Sequence, residues 1–181
     1  IHTPGHSDVV YRVAAEAIVL LRNSRNLLPV DPAAVRSVAV IGDNAVKTFA
    51  SGGFGAGVKA KYEVTVLEAL KNRLAPAVTV RFAQGYRERY LPGTNDRLPY
   101  GRPVDHRPDP VLVSEAASAA ASSDLAIVVA GTNRNVDSEA ADRPDMRLPF
   151  GQEELIDAVS KANPNTIVVI IAGGPFDLTG I

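Results

Sequence analysis

Apolar positions follow two rhythms along this chain. Three runs, SVAVIG (Ser37 to Gly42), DLAIVVAG (Asp124 to Gly131) and TIVVIIAGG (Thr166 to Gly174), are nearly unbroken, rich in β-branched residues and closed by glycine. That is the pattern of strands buried on both faces. A fourth strand is expected at VTVRFAQG, Val78 to Gly85. The intervening segments carry helical spacing. From Asp8 to Arg22 the apolar residues Val9, Val13, Ala17, Leu20 and Leu21 share one face, with Ser7 or Asp8 placed to cap the first turn. Thr65, with Glu68 three residues later, forms a capping box ahead of VLEALKNRL. Further helices are expected at Val111 to Ser122 and at Gly151 to Ala162. Strands alternating with helices predict an α/β fold, a mostly parallel sheet flanked by helices as an α/β sandwich.

Four strands are few for such a layer. The chain begins with Ile1 rather than Met and stops just after an apolar strand. A fragment is therefore expected, its sheet truncated at the C-terminal edge, with the missing edge beyond Ile181 or in another chain. The expected division is an interdomain linker and first helix over 1–34 and an incomplete sandwich domain over 35–181. Within the latter, 86–110 reads as a loop insertion of proline, arginine, aspartate and glycine, expected to make a surface or interdomain contact.

Composition narrows the function classes. The 181 residues are 46% hydrophobic, enough for one sizeable core. Nineteen basic against twenty acidic residues leave no electrostatic footprint for nucleic acid or an anionic membrane. Zero cysteines exclude disulfides, thiolate-bound zinc and thiol catalysis. The longest apolar runs are about half the roughly twenty residues of a membrane span. No signal-peptide pattern opens the chain, which leaves the compartment open; a bacterial periplasmic or secreted setting fits as well as any.

Charge is concentrated after the third apolar run in chain order. VDSEAADRPDMR carries Asp137, Glu139, Asp142 and Asp145 together with Arg143 and Arg147. A solvated loop braced by an Asp/Arg pair would account for this, and so would a site, because ligands of open parallel sheets gather outside the carboxyl ends of the strands. Two other chemistries are weaker. GGFGAGVKA, Gly52 to Ala60, partly matches a dinucleotide fingerprint, but roughly ten residues separate it from its strand and the next helix starts only at Thr65. His2, His6 and His106 are scattered without acidic neighbours at metal-ligand spacing, so neither metal nor cofactor is expected.

SEAADRPDMRLPFGQEELIDAVSKANPNTIVVIIAGGP resembles the second domain of glycoside hydrolase family 3, the β-glucosidases, β-xylosidases and related exo-acting enzymes. The family's elements occur in order as Ser138, Glu139, Asp142, Arg143, Leu148, Pro149, Gln152 to Ile156, Asn163 to Thr166 and Gly174-Pro175. AAEAIVLLRNSRNLLPV is similar to the segment joining that family's two domains, and VAVIGDNA with SGGFGAGVKAKYEVTVLEAL to its first strand, glycine-rich loop and helix. The resemblance spans nearly the whole chain outside 86–110. It implies that Glu139 is the general acid/base of a retaining β-glycosidase. Asp142 and Arg143 are expected to position that loop through charge-assisted hydrogen bonds. Gly53 and Phe54 are substrate-facing candidates in the glycine-rich loop, with packing against the loop's own base as the equal alternative for Phe54. His6 is similar to a family position near the domain junction and is expected to be structural. One departure is Ala140, where the family usually has glycine.

The resemblance also implies what is missing. The family's nucleophile is an aspartate in a Ser-Asp-Trp motif on a preceding (β/α) barrel, and this chain has no tryptophan. The expected partner is that N-terminal barrel domain, the expected substrate an oligo- or aryl β-glycoside, and the chain alone is expected to be inactive. The alternative is a non-catalytic carbohydrate-binding or scaffold domain.

Overall fold

Four parallel strands, β1 (Ser37–Ile41), β2 (Thr79–Ala83), β3 (Leu125–Gly131) and β4 (Thr166–Ile171), pair in the order β2-β1-β3-β4. A computed structural model describes residues 3–49, 60–92, 103–137 and 142–181. The chain forms two compact units, Ile1–Val30 and Asp31–Ile181. The helices are α1 (Pro4–Glu16), α2 (Val66–Leu74), α3 (Pro110–Ala121) and α4 (Gln152–Ala162).

In the second unit the chain first steps outward from β1 to β2, then crosses back to β3 and on to β4. Right-handed crossovers therefore send α2 to one face and α3 and α4 to the other. Register follows from the apolar runs: Val38 lies opposite Leu125 and Ala126 opposite Thr166. Ala39 and Ile41 of β1 and Ala126, Val128 and Ala130 of β3 join Ala116 and Ala120 of α3 and Leu155, Ile156 and Val159 of α4 in one buried cluster. The alternate residues Val38, Val40, Ile127 and Val129 are buried as well, so β1 and β3 are covered on both faces. Each such aliphatic side chain contributes about 1.5–3 kcal/mol. β2 and β4 are edge strands without a fully buried residue, and β2 is mostly exposed.

Thr65 caps α2 with Glu68 returning the bond, as the sequence pattern predicts. Glycine at the strand ends is a packing requirement. Gly42 and Gly131 have φ of 118° and 101°, and a Cβ on Gly131 would stand 2.0 Å from the Ile171 carbonyl oxygen.

The first unit differs from expectation. Its helix starts at Pro4 rather than Asp8, with Thr3 as the cap instead of Ser7 or Asp8. Thr3 accepts from the His6 backbone, and the His6 ring returns a bond to Thr3, which gives His6 a capping role. Proline presets the helical φ at the first position, so initiation moves a turn earlier. The helix also ends at Glu16, before the apolar run Ile18 to Leu21. Beyond it Asn23 closes a turn by bonding both the N–H and the carbonyl of Leu28.

The insertion is better integrated than its composition predicts. Tyr86 is buried, Tyr90 bridges Val104 in antiparallel fashion, and Asp105 is 2% exposed. Its tyrosines and Val104 are the apolar signal that the surrounding prolines and arginines obscure.

Candidate functional site

The segment that follows β3 is closed at its root. Gln152, the buried first residue of α4, donates from Nε2 to the Gly131 carbonyl at 3.0 Å and accepts from the Gly131 N–H at 2.7 Å. Strand exit and helix start are thereby held at one point, at the carboxyl end of the sheet, where open parallel sheets bind ligands.

From that root the chain makes one turn. The N–H groups of Val136 and Asp137 both donate to the Asn133 carbonyl. Asp137 is then gripped from three sides. Its Oδ1 lies 3.0 Å from Arg143 Nε, while Oδ2 accepts from the Thr132 hydroxyl and from the Gly173 N–H. Arg143 in turn donates to the Pro175 carbonyl at 2.9 Å and lies 4.4 Å above the Phe176 ring. Both partners are largely buried, at 25% and 15% side-chain exposure, so the pair is shielded from the solvent screening that weakens surface ion pairs. Asp137 and Arg143, six positions apart in sequence, are thus both held at the exit of β4. Among the described residues the buried Arg143 Nη1 has no hydrogen-bond partner.

Further along, Asp145 pairs with Arg147 at 2.8 Å, and this guanidinium holds its carboxyl below the usual range. His106, at the far end of the insertion, bonds the Leu148 carbonyl through Nδ1 at 3.0 Å. Asp137, Asp142, Arg143, Asp145, Met146 and Gly173 line an open cleft of about 460 Å³.

The predicted residues fare differently. Glu139, Gly53 and Phe54 lie outside the described residues. Asp142 is exposed on the rim of the cleft. Arg143 pairs with Asp137 and not with the adjacent Asp142. Adjacent side chains in an irregular loop diverge, whereas residues at its two ends are brought together when it closes. Asp137 was the residue missed as a brace; linear spacing carries no signal for a pair six positions apart that meets only after the loop folds back. Among the described residues no group of three or more His, Asp or Glu could hold a metal ion, and no helix is long and apolar enough to cross a membrane.

A parallel α/β sandwich with a braced, charge-rich loop at its carboxyl edge defines the structural class. Within that class the chain belongs to the glycosyl hydrolase family 3 C-terminal domain, whose model matches residues 18–181. It is 35% identical to a β-glucosidase of Bacteroides ovatus over 96% of its length and 31% identical to a β-xylosidase of Formosa agariphila over 99%. It spans 23% of each of these relatives, under a quarter of their length. Among solved structures, a β-glucosidase involved in saponin metabolism from intestinal bacteria superposes with a TM-score of 0.79 at 26% identity, covering 98% of this chain and 26% of that one. A Bifidobacterium adolescentis family 3 β-glucosidase gives 0.77 at 28% identity, covering 98% and 23%.

Proposed function

We propose that this chain is the second domain of a retaining, exo-acting β-glycosidase and that Glu139 is its general acid/base, working with an N-terminal barrel domain that carries the aspartate nucleophile. The observation that supports the proposal is the Asp137–Arg143 ion pair at the exit of β4, whose two members flank Glu139 in sequence. A proton donor to a leaving-group oxygen has to be held within a few tenths of an ångström of its productive place. A shielded ion pair that holds both flanking residues suits that requirement.

The chemistry divides between two carboxyl groups about 5–5.5 Å apart. The barrel's aspartate attacks the anomeric carbon while Glu139 gives its proton to the departing oxygen. The C–O bond to the leaving group breaks as the bond to the aspartate forms. Water then adds to the anomeric carbon of the glycosyl-enzyme, Glu139 takes the water's proton, and the aspartate departs. Glu139 must therefore be protonated when substrate arrives, which desolvation by bound sugar supplies. Asp137 cannot serve instead while Arg143 neutralises it, and Asp145 is likewise committed to Arg147.

Terminal β-glucosyl or β-xylosyl residues are the proposed substrates, since the relatives are named for those sugars. On this scheme the isolated chain does not turn over a glycoside, because it supplies one carboxyl group of the two. The test is Glu139→Ala in the full-length enzyme, assayed on substrates with poor and good leaving groups, with and without azide. Selective loss on poor leaving groups and recovery with azide are expected. Equal losses on both without recovery would remove Glu139 as the acid/base, and unchanged activity would return the domain to a carbohydrate-binding or scaffold role.

A further inference from the structure

Glu88 belongs to the insertion, outside the motifs on which the resemblance to the family was read, yet it sits at the centre of a polar cluster at the carboxyl ends of β1, β2 and β3. Its Oε1 pairs with Lys47 Nζ and accepts from Asn133 Nδ2 at 3.1 Å; its Oε2 accepts from Asn135 Nδ2 at 2.9 Å and from the Tyr90 hydroxyl at 2.7 Å. Lys47 also pairs with Asp43 at 3.0 Å. The Glu88 side chain is 16% exposed. Three chain segments meet on this one carboxylate: the exit of β1 through Lys47, the insertion through Glu88 and Tyr90, and the root of the β3 exit loop through Asn133 and Asn135.

The two asparagines belong to the turn that delivers Asp137. The Asn133 carbonyl takes the N–H groups of Val136 and Asp137, and its side-chain oxygen takes that of Asn135. Fixing both side chains fixes the turn, and the turn sets the direction in which Asp137 meets Arg143. We infer that Glu88 is a positioning residue for the acid/base segment, an anchor shared by the exits of β1 and β3. The inference rests on the proposed role of Glu139 for its catalytic part and on geometry alone for its anchoring part. Burial by itself would push the Glu88 carboxyl up, but the hydrogen bonds from Lys47, Asn135 and Tyr90 outweigh it and hold the group below the ordinary glutamate value. The carboxylate is therefore charged at neutral pH, when bonds to it are strongest.

The experiment uses the full-length enzyme with Glu88→Gln, and with Asn135→Ala as a milder variant that leaves the Lys47 pair in place. Amide hydrogen exchange is followed over 43–49 and 133–137, together with the pH profile of kcat/KM on substrates with poor and good leaving groups. Glu88→Gln should speed exchange about tenfold or more in both segments, while α3 and α4 keep their protection. It should also slow poor leaving groups about tenfold more than good ones and move the alkaline limb of the profile, which a uniform loss of stability would not do. Asn135→Ala should speed exchange in 133–137 alone. Unchanged exchange in either segment with Glu88→Gln would overturn the shared anchor. Faster exchange in both with an unaltered leaving-group dependence and pH limb, in an enzyme where Glu139→Ala behaves as acid/base loss, would overturn the positioning role. Should Glu139→Ala itself not behave so, the proposed function fails, and the anchor stands or falls on the exchange result.

Discussion

The two ends of the sheet are tied in different ways. At the amino ends, a single carboxylate, Asp124, accepts from the backbone N–H groups of Arg36 and Ser37 and from the Ser37 hydroxyl, all within 3.1 Å. Asn163 donates to the carbonyls of Ala120 and Ser123, and its own oxygen takes the Asn165 N–H. Short side chains there satisfy backbone groups close by. At the carboxyl ends the ties are long and charged: Lys47 with Glu88 and Asp43, Arg143 with Asp137, Arg107 and Arg89 with Asp105. They join side chain to side chain, within one segment for Arg143 with Asp137 and for Arg107 and Arg89 with Asp105, and between separate loops for Lys47 with Glu88. Backbone capping secures the fold wherever the chain turns, whereas ion pairs between side chains fix those side chains in directions the backbone alone would leave free. If Glu139 is the acid/base, the ties at the carboxyl end bear on its placement as well as on stability, and those at the amino end on stability alone.

The largest expected effect breaks the carboxyl end at its proposed centre. In the full-length enzyme Glu139→Ala should slow glycosylation of substrates with poor leaving groups by about 10²–10⁴-fold, and activated aryl glycosides far less. Azide should restore turnover of the trapped intermediate, because it needs no base to deprotonate it. Asp142→Ala should change little by comparison, since Asp142 is exposed and the bracing is done by Asp137 and Arg143. Asp137→Asn, which frees one end of the segment that carries Glu139, should also slow poor leaving groups more than good ones, though less than Glu139→Ala does and without azide rescue. Steady-state and pre-steady-state rates on the paired substrates separate these outcomes.

At the amino end the sign of the comparison reverses. Asn163→Ala leaves the Ala120 and Ser123 carbonyls without this donor in a buried place and should lower unfolding stability by about 1–3 kcal/mol. It should leave kcat and its leaving-group dependence unchanged. Chemical denaturation read beside enzyme kinetics checks both, and a kinetic defect there would show that the two ends are not independent.

Acid should loosen both ends, and the sign follows from the direction of the shifts. Asp105, held well below the ordinary value chiefly by Arg107, and Glu88, held down by Lys47, Asn135 and Tyr90 against burial, both have depressed folded-state pKa values. Asp124 is depressed by the N–H of Arg36 and by Ser37. Each contributes stability that is present above the unfolded carboxylate value of about 4 and is lost as pH falls through the lower folded value. Denaturation midpoints should therefore decline below about pH 5 and level off only in strong acid. Glu88→Gln should flatten part of that slope; an unchanged slope would mean that the carboxyl-end cluster contributes no pH-dependent stability.

Much of the sheet was legible in the sequence because periodicity reports burial directly. The continuous apolar runs became β1, β3 and β4 within a few residues, and the Thr65–Glu68 spacing became a capping box. β2 and β4, without a fully buried residue, show where such a pattern stops distinguishing an edge from a centre. The first helix shifted because an N-cap threonine followed by proline outranks a later serine or aspartate. The charge at the β3 exit was visible as composition, but its wiring was not. Asp137 finds Arg143 only after the loop closes, and Glu88 finds Asn133 and Asn135 across 45 and 47 positions. Pairings set by tertiary geometry leave no local period to read.

The smallest effect tests whether charge as such matters. Lys161 and Asp157, one turn apart on α4, form an ion pair at 2.7 Å, close to the shortest distances in the carboxyl-end clusters. Their side chains are 76% and 61% exposed, against 16% for Glu88 and 15% for Arg143. Water and salt screen such a pair, and holding two long side chains in one geometry costs conformational entropy, so exposed helical pairs contribute about 0.3–0.5 kcal/mol. Asp157→Ala should accordingly shift the denaturation midpoint by no more than that and leave kinetics untouched, with the small difference vanishing in high salt. A loss as large as that of Asn163→Ala would mean that the distinction between the ends of the sheet does not lie in shielding and in the number of segments each carboxylate joins, and would take with it the special standing of Glu88 and Asp137.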